Sequence, residues 1–403
     1  MQNDSLSSPA IFLGVALVAL WYLRHRRLNS VPLPPGPKGH VIYGSAMELQ
    51  AAEKLWLKLS EYADQYGGLI SVRTFHKYMF VISDPDLATE LLEKRATNYS
   101  DRDVSPMMKL VGWDRDVLFL SYGPLLKRYR TMLQRALNSR VSQDYIPLQQ
   151  NEAQKFMRRL VETPDDFMAH VHLLGASIAI RIAYGYHANS SEDQFIKRAD
   201  QLMTEFSDAA TPGKWAVDMF PFRAYLNYVP NLRLTVVLVR NIPVWFPFAA
   251  FQRQARYWRN LNDAHQTEPF NFTLEQIAKG TAKDSFTSKL LRPESSEDVD
   301  AETKEHIKIL ASNLYGAGSD TTVSAVQSFF LAMALYPDVQ AKAQAEIAAY
   351  AGQRLDTASN TMLLPGDRSS LPYTSALVRE LLRWHPIVNM VMHRSSDSDD
   401  CNV

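Results

Sequence analysis

Residues 316–322 read Gly316-Ala317-Gly318-Ser319-Asp320-Thr321-Thr322 and lie inside an apolar, helix-like run from about Thr303 to Tyr336, closed by Pro337-Asp338. Each of the two glycines costs a helix interior about 1 kcal/mol relative to alanine. The β-branched Thr321 and Thr322 follow, and Asp320 sets an ionisable acid beside a hydroxyl in an apolar stretch. Local rule-breaking of this kind often marks a functional site. A close-packing or hinge pair of glycines with an ion-paired aspartate explains the same residues. A second group, Glu380-Leu381-Leu382-Arg383, precedes Trp384-His385-Pro386. Its Glu and Arg stand at i, i+3 and share one helix face, a pairing that also arises by chance.

Two further sets carry positive charge. Tyr122-Gly123-Pro124 introduces a helix bearing Lys127, Arg128 and Arg130, and His393-Arg394-Ser395 lies near the carboxyl end. Either set is read as a solvated face or as contacts to an anion. The one cysteine, Cys401, ends the run Ser395-Ser396-Asp397-Ser398-Asp399-Asp400-Cys401. It excludes internal disulfides and any cysteine-based structural zinc site, and fits a reducing compartment. Its neighbouring aspartates raise a thiol pKa, whereas a metal-ligating thiolate needs it lowered.

Apolar periodicity supplies the elements that position these groups. Helical spacing runs over 53–66, 86–95, 125–138, 147–162, 170–185 and 192–208. Leu69-Ile70-Ser71-Val72-Arg73 and Tyr78-Met79-Phe80-Val81-Ile82 read as two strands joined by a turn. The class is mainly α with a small β lobe. At the amino end, the uncharged run Ala10 to Leu23 is followed at once by Arg24-His25-Arg26-Arg27. With Leu6 to Pro9 it nears the ~20 residues of a spanning helix. The basic flank then predicts that the chain beyond it stays cytosolic. A cleaved signal or an interfacial helix are the rivals. Residues 1–27 are therefore read as anchor and basic flank, and 28–50, containing Pro32-Leu33-Pro34-Pro35-Gly36-Pro37, as a stiff hinge. Residues 51–403 form the remaining domain.

The two central motifs, the anchor and the hinge together resemble the cytochrome P450 monooxygenases, most closely the fungal microsomal type. The resemblance implies the cytochrome P450 fold and haem b. In that family the small residues, here Ala317 and Gly318, let the haem plane approach the long helix. A threonine hydroxyl (Thr321) opens the helix locally and hydrogen-bonds the bound dioxygen, while the adjacent acid (Asp320) relays protons. Cleaving the O–O bond takes two protons in a pocket too apolar to supply them directly. Glu380 and Arg383 would have a structural role, locking the core around the haem. Arg130, His393 and Arg394 match positions that reach the haem propionates, although Leu126 stands where tryptophan is usual. The family's thiolate loop follows the Glu/Arg pair by several dozen residues, and Cys401 does not match it. The fold is accordingly expected to be incomplete at the carboxyl end, with no metal ligand assigned. Lys214 to Pro221 and Ile242 to Pro247 resemble neighbouring pieces of fungal members, so 223–241 reads as an extra segment between them, either a real insertion or translated intron sequence.

By resemblance, the activity is insertion of one oxygen atom from O2 into a lipophilic substrate, with electrons from NADPH-cytochrome P450 reductase. The location implied is the endoplasmic reticulum membrane, with the bulk of the chain on the cytosolic face and the lipid bilayer as a partner. Without the thiolate loop this chain is expected to be inactive. The alternatives are a pseudoenzyme or gene-model fragment, or a haem-free membrane-associated binding protein. Equal numbers of Lys+Arg and Asp+Glu, 43 each, give no global drive toward nucleic acid.

Overall fold

The computed structural model describes residues 32–74, 77–211, 214–219, 250–292, 299–354, 363 and 365–395. The expected anchor over 1–27, the segment 223–241 and Cys401 lie outside them. The chain folds as two units that divide between Arg95 and Ala96.

In the first unit, Leu69–Thr74 (β1) pairs antiparallel with Lys77–Ile82 (β2), in the register Leu69↔Ile82 to Thr74↔Lys77. Alternation buries Ile70 and Val72 on one face of β1. They pack with Leu59 and Tyr62 of the helix Leu55–Tyr66 (α1), which ends at Gly67 in a positive-φ conformation. The sequence implied one helix over 86–95. That helix is present from Pro85, capped by Asp84, but its second half, Glu90–Lys94, widens to π geometry closed by the Arg95 N–H on the Glu90 carbonyl.

The second unit is helical. Its main elements are Pro106–Val111 (α2), Pro124–Leu137 (α3), Ile146–Glu162 (α4), Phe167–Tyr184 (α5), Gln194–Ala210 (α6), Ala250–Ala278 (α7), Phe286–Leu291 (α8), Ala301–Leu335 (α9), Pro337–Arg354 (α10) and Pro372–Trp384 (α11). Caps set several of the ends. The Asp193, Ser285 and Asp300 side chains accept from N–H groups opening α6, α8 and α9, and Gly185 ends α5 in the left-handed region.

The long α9 runs through the core against α5. Gly175 makes this crossing tight, because a Cβ there would lie 2.8 Å from the Ser319 carbonyl oxygen. One turn on, Ala179 sits under Gly318, whose Cβ would come within 3.2 Å of it. Around this contact, Tyr129, Ile180, Tyr184, Ile307, Leu310 and Tyr315 are buried in one cluster. Three hydroxyls at its edges are satisfied internally, whereas that of Tyr184 has no hydrogen-bond partner among the described residues. The Tyr315 hydroxyl donates to the Phe195 carbonyl at 3.3 Å, Thr273 to that of Tyr184 at 3.0 Å, and Thr287 to that of Ala183 at 2.8 Å. Among the described residues one stretch, Pro164–Tyr184, is long and apolar enough to cross a membrane. Half of it is buried in this core, so its hydrophobicity is accounted for by packing on α9.

Candidate active site

At the middle of α9 the helix loses its cover. Ser319 and Val323 face the core, while Ala317 and Asp320 are exposed and Thr321 is half-buried. A Cβ at Gly316 would meet nothing within 4 Å. Helical spacing sets Asn313, Ala317, Asp320, Thr321 and Ser324 along one side. The local opening of the helix that the resemblance implied is not present: α9 is continuous over Ala301–Leu335. The Thr321 hydroxyl donates back to the Ala317 carbonyl at 2.6 Å, and Thr322 does the same to Gly318 at 2.8 Å. Such back-bonds give buried hydroxyls a partner without breaking the helix.

Asp320 lies next to Thr321 in sequence and within electrostatic reach of His172 on α5. His172 Nε2 pairs with Asp200 Oδ1 of α6 at 2.9 Å. The hydrogen bond to Asp200 raises the His172 pKa; burial opposes it, and the charges of Asp200 and Asp320 reinforce it. An exposed carboxylate and a histidine held toward its cationic form thus stand behind the threonine. Gly318, assigned with Ala317 to the cofactor face, lies toward α5 in this structure, and Gly316 occupies the open side.

The cationic residues meet at another group of segments. Arg102, which the sequence pattern did not single out, donates through Nε to the Leu118 carbonyl at 3.1 Å and through Nη1 to the Met392 carbonyl at 2.7 Å. Burial lowers its pKa, and the nearby Arg130 guanidinium lowers it further. Next to Arg102, the Arg394 N–H donates to the Asp101 carbonyl at 2.8 Å, and His393 Nδ1 lies 2.8 Å from the Tyr99 carbonyl. Burial pushes the His393 pKa down, with the Arg102 charge adding to it. Asp101 in turn accepts from the Tyr122 N–H at 2.9 Å. The structure therefore draws Arg130, His393 and Arg394 around Arg102. Neither Arg102 nor Arg130 has a carboxylate partner among the described residues, and two guanidiniums so placed suit an anion. Only an Asp-Arg dipeptide in a loop signalled Arg102 in the sequence, and its neighbours come from positions far away in the chain.

This cationic edge abuts the open side of α9. Asn313 Oδ1 accepts from the Val117 N–H at 2.8 Å, and the next residue, Leu118, holds Arg102. Asn313 is one turn before Ala317. An uncovered helix face beside paired guanidiniums fits one face and the carboxylate edge of a haem. Leu126, where the family usually has tryptophan, is buried in the core. Among the described residues no group of three or more His, Cys, Asp or Glu side chains is arranged to hold a metal ion.

Glu380 and Arg383 form a bidentate pair, Nε to Oε2 at 2.7 Å and Nη2 to Oε1 at 2.6 Å. The pairing lowers the Glu380 pKa and raises that of Arg383. Both side chains are largely exposed, 55% and 72%, so the pair stabilises the chain little by itself. It rides on α11, whose Leu381 packs against Ala332 and Met333 of α9.

Comparison with known proteins gives the family. Residues 34–402 match the family model for cytochrome P450. Cytochrome P450 monooxygenase COX2 of Coprinopsis cinerea is 34% identical over 98% of this chain and 70% of its own length. Cytochrome P450 monooxygenase 208 of Postia placenta is 33% identical over 97% of the chain and 72% of its own, and claR of Ampulloclitocybe clavipes 31% over 96% and 68%. The mainly helical fold with its small two-stranded sheet fits that class, and the family match and these relatives show that the chain belongs to the cytochrome P450 family.

Proposed function

We propose that the chain is the membrane-anchored framework of a haem monooxygenase that oxygenates a lipophilic substrate, using electrons from NADPH-cytochrome P450 reductase at the endoplasmic reticulum. The observation that carries the reading is the junction of the uncovered α9 face with the Arg102–Arg130 pair through Asn313 and Val117. Arg102 and Arg130, with His393 and Arg394 beside them, bind and orient the cofactor carboxylates. Bound haem b supplies activation of dioxygen. Ala317 and Gly316 keep that side of α9 free of bulk. Thr321 Oγ1 holds its proton on the Ala317 carbonyl at rest and turns to present it to the reacting oxygen. Asp320, exposed beside it, returns that proton from solvent, with the His172–Asp200 pair within electrostatic reach. Met107, Val111, Phe119, Phe206, Trp215 and Trp258 gather into an apolar cluster, supporting a lipophilic substrate.

Cys401, the one cysteine in these 403 residues, stands amid aspartates and is not proposed as the iron ligand. The test is a spectrum: the full chain is supplied with haem, reduced and exposed to carbon monoxide. Haem uptake without the red-shifted Soret band of thiolate ligation, with that band appearing when a family-type cysteine loop is appended, supports the reading. A stoichiometric red-shifted band from these 403 residues alone would make Cys401 a ligand and overturn that part of the reading. Failure of the extended chain to take up haem would overturn the monooxygenase assignment.

A further inference from the structure

Glu152 on α4 is 2% exposed, and one of its oxygens gathers cations from α4 and α5. Glu152 Oε1 accepts from Lys155 Nζ of the same helix at 2.9 Å and from Arg181 Nη1 of α5 at 3.1 Å. His187, in the loop that leaves α5, stands with Nδ1 3.9 Å from that oxygen and Nε2 3.2 Å from Lys155 Nζ. Burial lowers the His187 pKa, the charges of Lys155, Arg181 and Arg159 add to the fall, and Glu152 opposes it. The imidazole is therefore neutral at pH 7, and its Nε2 accepts from the Lys155 ammonium. One buried carboxylate is answered by two permanent cations, so positive charge is left over.

One turn further along α4, Arg159 carries a third permanent cation on the same side of the helix. Its guanidinium makes no ion pair among the described residues. It lines a surface cleft of about 390 Å³ together with His170 of α5 and Asn189, Ser190 and Ser191 of the loop before α6. Asp166 is the one acid on that lining. The loop side chains have hydrogen bonds to give. Ser190 Oγ accepts from the Glu192 N–H at 3.1 Å and keeps its own proton, while the Asn189 and Ser191 side chains have no partner among the described residues. Thr163 fixes the His170 ring, with Nε2 3.0 Å from its carbonyl oxygen and 2.8 Å from its hydroxyl. A planar carboxylate is satisfied by one guanidinium fork. A guanidinium with two hydroxyls and an amide beside it offers more donors than that and suits a phosphate with its three outer oxygens.

We propose that this cleft between α4, α5 and the 189–191 loop binds the phosphate group of a phosphate monoester. Arg159 is the charged ligand, Asn189, Ser190 and Ser191 are the neutral donors, and the surplus charge at Lys155 and Arg181 attracts the dianion from behind. Asp166 opposes binding and holds the affinity down. The site shares no residue with the Arg102–Arg130 edge, so it stands or falls independently of the function proposed above. A soluble phosphate ester and the headgroup of phosphatidic acid present the same group, and competition between them tells the sources apart.

The test is isothermal titration calorimetry on the full chain in phosphatidylcholine nanodiscs, with glycerol 3-phosphate as the probe. Wild type should bind it, and Arg159→Gln should weaken binding about ten-fold or more, the loss of a charge-assisted hydrogen-bonding group. Arg159→Lys should restore part of the affinity, and Asp166→Asn should tighten it. Because Arg159 makes no ion pair, its variants should melt with the wild type, so a lost signal reads as lost binding. Arg102→Gln should bind as tightly as wild type, and acetate should bind about ten-fold more weakly than the phosphate. Nanodiscs doped with phosphatidic acid supply the lipid arm. Loss of the glycerol 3-phosphate titration there assigns the cleft to headgroups, and an unchanged titration assigns it to soluble esters. No wild-type binding at millimolar probe, or equal binding by Arg159→Gln, overturns the site. Acetate binding as tightly as the phosphate also overturns it, since the cleft is then only a cationic surface.

Discussion

At His265 burial acts on a base. The imidazole is fully enclosed on α7 and stacks on Tyr315 with ring centroids 5.4 Å apart and planes 16° apart. Burial, helped by the Arg198 charge, pushes its pKa down to about 4. The folded chain therefore keeps it neutral where an unfolded chain would protonate it. Its stabilising contribution is complete above the ordinary histidine value and is lost as pH falls from there toward 4. The wild type should lose about 2 kcal/mol between pH 7 and pH 5 through this residue. His265→Phe, which keeps a ring on Tyr315, should not show that loss. Urea unfolding at both pH values checks it, and parallel losses in the two proteins would refute the assignment. Neither this burial nor that of Glu152 is legible in the sequence, because a lone His or Glu on a helical stretch looks like any solvated one. Arg102 was hidden for a related reason. Its meaning comes from Leu118, Arg130 and Met392, which only tertiary structure assembles.

The elements were more legible. The two strands and most of the helices stand within a few residues of where periodicity put them, because each buries one face and alternation records that face. The glycines of α9 were legible as unusual, but their division of labour was not. Sequence set Gly316 and Gly318 in one motif. In the structure Gly318 meets Ala179, Gly316 meets open space, and the tightest approach belongs to Gly175 on the partner helix. These environments predict opposite outcomes for one substitution. Gly316→Ala should stabilise the haem-free chain by about 1 kcal/mol through helix propensity alone. Gly175→Ala gains the same propensity, but drives a methyl into the Ser319 carbonyl in mid-helix, where the backbone has no room to yield. Overpacking of this kind costs about 1–3 kcal/mol, so the variant should be no more stable than wild type and commonly less. Thermal unfolding of the two variants side by side decides it. If Gly175→Ala is the more stable, the α5–α9 crossing is looser than described. Gly316→Ala carries a second readout, since a methyl on the open side should weaken porphyrin binding while raising stability, an opposition that a purely structural glycine would not produce.

In the helical unit, exposed large apolar residues concentrate in the carboxyl-terminal part. Phe329, Leu331 and Leu335 on α9, Val378 and Leu382 on α11, and Val388, Val391 and Met392 beyond it are all exposed. Single exposed apolar residues are ordinary, whereas a concentration of them favours association. The pattern contrasts with the first half of α9, where Ile307, Ile309 and Leu310 are enclosed. The full chain in mild detergent should therefore form concentration-dependent oligomers, with this surface contributing beyond any effect of the amino-terminal segment. Replacing Leu335, Leu382 and Val391 together by glutamate should reduce the assembly toward the monomer and leave far-UV circular dichroism unchanged, because none of the three lies in the buried clusters. Deleting residues 1–31 provides the contrast. If deletion alone dissolves the oligomer and the triple glutamate variant sediments like wild type, the apolar amino-terminal segment is responsible and the α9–α11 surface is not sticky. If the glutamates act and the deletion does not, hydrophobic contact through this surface holds the copies together, and salt should leave the assembly intact where a charge-driven contact would weaken.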